Sequence, residues 1–399
     1  MEFPMTPLFC PNPRCPHHTR DRQQTTPHGS GAPASPGVPG PSKPFFTRFG
    51  HFPTKAYGII TRYRCITCHR TFSDRSFRLD YYAKRNLDLH EIFRAISSGE
   101  SLSAIARAQH CSTASVQNRL DRLGRASLAM HAHLTSTLFL TENLTADGFE
   151  SFDRSQYYPN NLNLLVGSRS QFLYALTHAT LRRKGRMTSA QKCRRAALEQ
   201  RFRPPPDALL AAFTRLVATI PSIWNPHRLP DLTLFTDEHR LYPRALDTVE
   251  ALASAEARGS FHHVRIPSTA PRTLRNPLFP VNYEDRELRK DIAAFRREST
   301  CFTRNAGAGL LRTTCHMAWH NYAKPHRVRG ASARVHAELA GIGQQAIGES
   351  WRTFFDDRPF LSRTPVPEWA QRIWLRKIQT PLASKPDYVP AYARSFNIL

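Results

Sequence analysis

Thr145-Ala-Asp-Gly-Phe-Glu-Ser-Phe152 closes a strand-like apolar run, and Leu234-Phe-Thr-Asp-Glu-His239 closes another. A third acidic stretch, Asn282-Tyr-Glu-Asp-Arg-Glu-Leu-Arg-Lys-Asp291, opens a helix-like run. A fold that brings acids from such stretches together can hold divalent metal ions, because Mg²⁺ and Mn²⁺ prefer hard oxygen ligands. Two such ions can promote an in-line phosphoryl displacement. The candidate catalytic and magnesium-binding acids are Asp147, Asp237 and Glu287.

The elements predicted around these stretches follow an α/β order. Three strand-like runs come first, then two helical segments separated by Pro204-Pro205-Pro206, then strand, helix, strand and helix. The predicted strands are 138–147, 162–167, 171–176, 232–236 and 261–266, and the predicted helices are 188–201, 207–219, 243–257, 283–297 and 305–323. We therefore expect an α/β catalytic domain over residues 131–330 and a C-terminal segment, 331–399, whose role the pattern does not indicate.

The composition favours a polyanionic partner. The chain has 399 residues and 56 Lys and Arg against 31 Asp and Glu, which gives a formal charge of +25. Such a surface is typical of nucleic-acid binding, so DNA is the expected partner. No run approaches the roughly 18 apolar residues of a membrane-spanning helix, and the N-terminus lacks the pattern of a secretory signal. We expect a cytoplasmic protein with no membrane contact.

Two pairs of cysteines near the N-terminus have metal-ligand spacing, with four residues inside the first pair and two inside the second. The cysteines are Cys10, Cys15, Cys65 and Cys68. Four thiolates complete a closed tetrahedral zinc site that is structural, with His17, His18 and His69 as possible substitutes for one cysteine. The alternative is chance pairing or redox-active thiols. We expect a zinc ribbon over residues 1–78, interrupted at about 22–44 by a disordered insertion rich in Pro, Gly and Ser.

Residues 79–130 have the pattern of a helix-turn-helix domain. Apolar residues recur at helical spacing, and a short break at 110–112 offers Ser112 and Thr113 as N-caps of the second helix. The polar side of that helix predicts contacts with bases and phosphates. The residues on that side are Ser115, Gln117, Asn118, Arg119 and Arg122. The alternative is a plain three-helix bundle with a solvated face.

A basic cluster precedes the helix predicted at 188–201. It consists of Arg182, Arg183, Lys184 and Arg186. Because this cluster lies between the first two acidic stretches, it is a candidate for contact with the DNA backbone. The alternative is a charge run that only faces solvent.

Together these motifs resemble the DDE transposases of bacterial insertion sequences. The resemblance rests on Cys-Pro-Asn-Pro-x-Cys with Tyr-Arg-Cys-x-x-Cys, the helix-turn-helix, residues 147–152, 182–188 and 236–237, and residues 285–305. It implies a ribonuclease H-like catalytic domain, binding of the element's terminal repeats by the N-terminal modules, and strand cleavage and transfer to target DNA that depend on Mg²⁺ or Mn²⁺. By analogy it also implies a homo-oligomer on DNA.

The third acid of the triad is open at this stage. Glu284, Glu287 and Glu298 are the candidates, and Glu287 is preferred. Many relatives have a basic residue seven positions after that glutamate, whereas this chain has Ala294 there. His320, Asn321 and His326 lie in a segment similar to one in the family, and histidines on an amphipathic helix are usually structural. The alternative function is a DNA-binding protein without catalysis, such as a transposition repressor or an inactivated transposase copy.

Overall fold

The computed structural model describes residues 9–19, 44–296, 300–327 and 333–384. The predicted disordered insertion at about 22–44 lies outside these ranges except for residue 44, and Glu298 lies outside them as well. The strands are β1 (Phe46–Thr54), β2 (Gly58–Cys65), β3 (Thr71–Ser73), β4 (Leu144–Phe152), β5 (Pro159–Gly167), β6 (Leu173–Thr180), β7 (Leu232–Asp237) and β8 (Phe261–Ile266).

The helices alternate with the later strands and continue beyond them. They are α1 (Leu89–Ser97), α2 (Leu102–Ala108), α3 (Thr113–Thr135), α4 (Ser189–Glu199), α5 (Ala208–Val217), α6 (Ile220–Ile223), α7 (Leu241–Asp247), α8 (Glu250–Ala257), α9 (Phe279–Asp291), α10 (Ala306–Tyr322), α11 (His336–Leu339), α12 (Gln344–Phe354) and α13 (Glu368–Trp374). None of the helices in the described ranges is long and apolar enough to cross a membrane.

A five-stranded mixed sheet organises the centre of the molecule, in the order β6-β5-β4-β7-β8. Strands β4, β5 and β6 form antiparallel hairpins, while β7 and β8 run parallel to β4. The parallel strands are connected through helices, as parallel pairing requires. The predicted mixed α/β class is therefore confirmed.

The predicted strand at 138–147 is displaced in the structure. β4 begins at Leu144 and pairs with β5 along its whole length, from Leu144 opposite Gly167 to Phe152 opposite Pro159. Its pairs with β7 are Leu144 with Leu234 and Thr145 with Phe235. Strands β4 and β7 thus stop pairing just before Asp147, so the two strands separate beside this aspartate.

The N-terminal sheet, in the order β1-β2-β3, supports the paired cysteines. Its small apolar core is aromatic and includes one residue from far along the chain. The core members besides the cysteines are Phe45, Tyr63, Phe72, Phe77 and Phe360. Because Phe360 belongs to the segment after α12, the C-terminal part of the chain completes the core of this module.

Helices α1, α2 and α3 each begin at a capping side chain. Asp88, Ser101 and Ser112 accept a hydrogen bond from the backbone N–H three residues ahead, which satisfies one of the unpaired donors of a helix start. Helix α3 continues to Thr135, well past the expected domain boundary at residues 130 and 131. The helix-turn-helix region and the segment that leads to the sheet therefore share one long helix.

Helix α10 packs closely along α3. A Cβ atom on Gly124 of α3 would stand 2.5 Å from the carbonyl oxygen of Leu311, so only glycine permits this approach. The hydroxyl of Thr314 donates to the Gly124 carbonyl at 3.0 Å. At the other end of α10, the Asn321 side chain accepts from the Leu173 N–H and donates to the Leu173 carbonyl, both at 2.9 Å. Helix α10 thus joins α3 to the edge of the sheet.

The segment after residue 333 packs into the same core. Trp374 is fully buried, and Arg125 of α3 donates to its carbonyl at 3.2 Å. Arg376 forms an ion pair with Asp121 at 2.6 Å. This part of the expected segment 331–399 therefore covers α3.

Candidate catalytic and metal centres

Two aspartates lie at the same level of neighbouring parallel strands. Leu144 pairs with Leu234, and Asp147 and Asp237 each follow three residues later. Equal offsets along parallel strands place both side chains on the same face, with strands about 4.8 Å apart. The sequence prediction that these two acids come together is met by this register.

The charge of Asp237 acts on the Asp147 carboxylate. Burial and then the charge of Asp237 raise the pKa of Asp147 to about 6. The Gly148 N–H donates to Asp147 at 2.7 Å, and the His239 N–H donates to Asp237 at 2.9 Å. A Cβ atom at position 148 would stand 2.1 Å from the Asn161 side-chain amide, so a larger residue beside Asp147 would displace that side chain.

A third aspartate, Asp285 on α9, belongs to the same cluster. Burial, then the charge of Asp147 and that of Glu284, raise its pKa well above the usual value. Its Oδ1 atom is buried and has no hydrogen-bond partner among the described residues. Asp285 is not among the acids that the sequence indicates, since its position between Glu284 and Glu287 gives no signal of its own.

Glu287, the predicted third acid, is held by lysines. Its carboxylate is paired with Lys290 at 2.7 Å and with Lys324, which forms a shorter contact. Burial opposes ionisation, but the hydrogen bonds from Lys290 and Lys324 outweigh it and lower the pKa of Glu287. The structure thus gives Glu287 two cationic partners of its own.

Asp147 is thus coupled to Asp237 on the neighbouring strand and to Asp285 on α9, and we call these three residues the acid cluster (Asp147, Asp237 and Asp285). A like charge raises the pKa of Asp147 and that of Asp285, and a bound cation would relieve this repulsion. An unpartnered buried carboxylate oxygen and an all-oxygen donor set suit Mg²⁺ or Mn²⁺. The side chain of Tyr242 closes one side of the cluster, where burial and the charges of Asp147 and Asp237 raise its pKa.

One exposed arginine also acts on the acid cluster. The charge of Arg272, in the loop between β8 and α9, lowers the pKa of both Asp147 and Asp285. An exposed guanidinium beside the acids is placed to contact a phosphate group that approaches them. A loop arginine among many others carried no sequence signal for this position.

The four N-terminal cysteines come together as predicted. Their four sulfur atoms all lie within 4.8 Å of one another. The sulfur atoms of Cys10 and Cys68 are 3.6 Å apart and those of Cys15 and Cys65 are 3.7 Å apart. Four ligands about 2.3 Å from a central ion stand roughly 3.8 Å apart in a tetrahedron, so this geometry fits structural zinc. Burial raises the pKa of Cys10 and Cys15, and a cation is what keeps such buried thiolates ionised.

The predicted DNA-reading face of α3 needs correction for its two arginines. Arg119 and Arg122 are buried, not presented on the polar side. Arg119 donates to the Arg85 carbonyl at 2.8 Å, and Arg122 donates to the Leu79 carbonyl at 3.0 Å. Both arginines therefore fix the segment before α1, and their heads are no longer available to a groove.

The other members of that predicted face remain nearer to solvent. Asn118 is exposed, and Ser115 and Gln117 are half-buried. Gln117 donates to Asp121 at 2.8 Å, and the Ser115 hydroxyl is 3.0 Å from that of Ser112. These three side chains lie at the N-terminal end of α3, where a recognition helix would meet base edges.

The basic cluster before α4 divides into paired and unpaired charges. Arg182 forms an ion pair with Glu199 at 2.7 Å, and Arg183 donates to Gln156 at 2.7 Å. Lys184 and Arg186 are exposed and lie beside Gly185, whose φ of 81° marks a turn. The two exposed cations are thus presented on a turn that enters α4.

Comparison of the chain with protein-family models gives no match, and a search of curated proteins gives no similar protein.

Proposed function

We propose that this chain is a transposase of the DDE class, which binds the ends of an insertion sequence and catalyses metal-dependent DNA strand cleavage and strand transfer. The observation that carries the proposal is the acid cluster: Asp147 and Asp237 at one level of adjacent parallel strands, with Asp285 facing Asp147 from α9. In this proposal Asp285, and not Glu287, is the third acid.

The proposal includes a ribonuclease H-like fold for the α/β domain. Its support is the arrangement of three antiparallel strands, two further parallel strands and a final helix that contributes the third acid. Ligands of open α/β sheets bind outside the carboxyl ends of the parallel strands. Asp237 closes β7 at such an end, and Asp147 lies where β4 and β7 stop pairing.

The roles of the chain's own residues follow from their chemistry. Asp147, Asp237 and Asp285 would hold Mg²⁺ or Mn²⁺, which supply an activated oxygen nucleophile and stabilise the leaving oxygen when bound. Arg272 would contact the phosphate that is to be displaced, since its charge already acts on two of the acids. The structural zinc at the four cysteines would leave no open position and so would not take part in the reaction.

The basic surface supports DNA as the substrate. Lys184 and Arg186 are exposed, and neither forms an ion pair with an acid among the described residues. The formal charge of +25 adds long-range attraction for a polyanion. The residues from 44 to 73 contain arginines and one lysine but no acid, so the N-terminal sheet is basic as well.

A nicking and joining assay tests the proposal. Duplexes made from the DNA that flanks the coding region are incubated with the purified chain and Mg²⁺ or Mn²⁺. We expect strand cleavage and transfer, and Asp237→Asn should abolish both while binding to the same duplexes persists. Asp231→Asn is the matched control, because that aspartate is exposed and precedes β7.

The opposite results separate the two functions. Cleavage that survives in Asp237→Asn would remove the acid cluster from the mechanism. Binding to the flanking DNA without any cleavage by the unaltered chain, in either metal, would favour the DNA-binding protein without catalysis.

A further inference from the structure

A second cluster of possible metal ligands lies on the other side of α9. Glu284 of α9 faces His316 and His320 of α10, and all three are buried. One ligand atom of each lies within 4.8 Å of the others. Consecutive helix residues point about 100° apart, so Glu284 faces α10 while Asp285 faces the sheet. The cluster is therefore separate from both the acid cluster and the cysteines.

The hydrogen bonds of His320 determine where its proton lies. Nε2 is 2.8 Å from the carbonyl oxygen of Gln171, and a carbonyl only accepts, so Nε2 must donate. In a neutral imidazole the other nitrogen, Nδ1, then presents a lone pair. That nitrogen stands 3.1 Å from Oε2 of Glu284. Two lone pairs at this distance repel each other unless a cation or a proton lies between them.

The other contacts of this cluster leave three buried polar atoms without hydrogen-bond partners. His316 Nε2 is 2.9 Å from Oε1 of Glu284. Among the described residues, Oε2 of Glu284 and Nδ1 of both histidines have no hydrogen-bond partner, and all three atoms are buried. Buried polar atoms without partners are rare in folded proteins, and a bound ion is one explanation for them.

A third buried histidine packs against the cluster. The ring of His336 stacks on that of His320 with 3.9 Å between centroids, and its Nδ1 is 2.8 Å from the Ser170 carbonyl, to which it donates. The neutral imidazole is the form that binds a metal, and Nδ1 of His320 directs its lone pair at Glu284.

We propose that Glu284, His316 and His320 bind a divalent transition metal of the zinc class, as a structural site distinct from the four-cysteine site. Two imidazole nitrogens and one carboxylate oxygen suit Zn²⁺ and its first-row neighbours, whereas Mg²⁺ prefers oxygen ligands alone. Ligand atoms about 2.1 Å from a tetrahedral ion stand roughly 3.4 Å apart; here the two histidine nitrogens lie 2.9 and 3.1 Å from the two oxygens of Glu284, and the group lies within 4.8 Å. The ion would join α9 to α10 and thereby fix the orientation of the helix that carries Asp285.

The metal content of the full-length chain tests this site directly. Protein dialysed against metal-free buffer after purification in the presence of Zn²⁺ should retain two zinc ions per chain. His316→Gln and His320→Gln should each lower the content by one ion, and Cys65→Ser should lower it by the other. His262→Ala is the matched control, because this histidine is exposed on β8 and should leave both ions in place.

A spectroscopic measurement needs no substitution and so does not depend on the folding of a variant. Co²⁺ replaces Zn²⁺ in the same ligands, and thiolates give it intense charge-transfer bands that imidazole and carboxylate do not. We expect one equivalent with thiolate bands and a second equivalent that adds only weak visible bands. Saturation after one equivalent, or two ions retained in both histidine variants, would overturn the site and leave a shared proton between Glu284 and His320. Neither readout involves DNA, so this result is independent of the nicking assay.

Discussion

The third acid shows what the sequence does and does not determine at the scale of single residues. Helical spacing places Glu284, Glu287 and Asp291 on one face of α9, and that face packs towards α10, where it meets His316 of this helix and Lys324 just after its end. Asp285 lies off this face and reaches the sheet. Periodicity identifies residues that share a face, but only the packing of the helix reveals which face meets the active strands. Asp237 was predictable because it ends β7, whereas Asp147 was expected to end a strand and lies inside β4 instead.

Removing the charge of Asp285 or of Glu287 should separate the roles of these two α9 residues. Asp285→Asn should reduce strand cleavage by more than the roughly 10- to 100-fold that loss of an outer partner of a metal costs, because it removes a carboxylate from the acid cluster. Glu287→Gln should reduce cleavage by no more than that factor. It should lower the free energy of unfolding by about 2 kcal/mol, since Lys324 loses a charged hydrogen bond.

Single-turnover cleavage rates in Mg²⁺ and urea denaturation of each variant provide the two measurements. Glu250→Gln, on the first turn of α8, serves as a control for loss of one acidic charge on a helix. A larger loss of cleavage in Glu287→Gln than in Asp285→Asn would return Glu287 to the catalytic site.

At the scale of elements, the helix-turn-helix pattern predicted the start of α3 correctly and its polar face only in part. The N-cap at Ser112 was readable because capping residues have a positional signature. The burial of Arg119 and Arg122 could not be predicted from the sequence, since it depends on backbone carbonyls of residues 79–85, which are distant along the chain. An arginine that donates to buried carbonyls and an arginine that contacts a DNA phosphate can occupy the same position in a helical sequence pattern.

Substitutions on α3 and before α4 distinguish these two kinds of arginine. Arg122→Ala should lower the free energy of unfolding by about 2 to 3 kcal/mol, because the Leu79 and Tyr81 carbonyls lose a charged donor. It should leave the salt dependence of DNA binding unchanged. Lys184→Ala and Arg186→Ala should each reduce the slope of log affinity against log salt by about 1, without loss of stability.

Fluorescence anisotropy on a short duplex at several salt concentrations and urea denaturation give both quantities. Arg258→Ala, at the exposed end of α8, is a control for removal of one surface charge. A reduced salt slope in Arg122→Ala would restore that residue to the DNA-binding face.

At the scale of the whole molecule, the chain is more continuous than its sequence modules suggest. The expected boundary at 130 and 131 lies inside α3, and the described part of 331–399 packs into the main core. Composition and cysteine spacing indicate modules, because each has its own local pattern. Contacts between distant segments have no such pattern, so the role of the C-terminal part could not be predicted.

The four-cysteine module depends on this C-terminal part, so loss of the zinc proposed for it should affect both parts of the chain. Leu79 donates to the Asp356 carbonyl and Arg358 to the Phe77 carbonyl, each at 2.7 Å, while Phe360 fills the aromatic core. Since the thiolates hold that core together, Cys65→Ser should speed amide hydrogen exchange in residues 44–77 and also in 356–363, but not in β4 or β7. Exchange measured on proteolytic peptides checks this, with the exposed Cys193→Ser as control. Unchanged exchange at 356–363 would mean that the C-terminal segment holds its place without the metal.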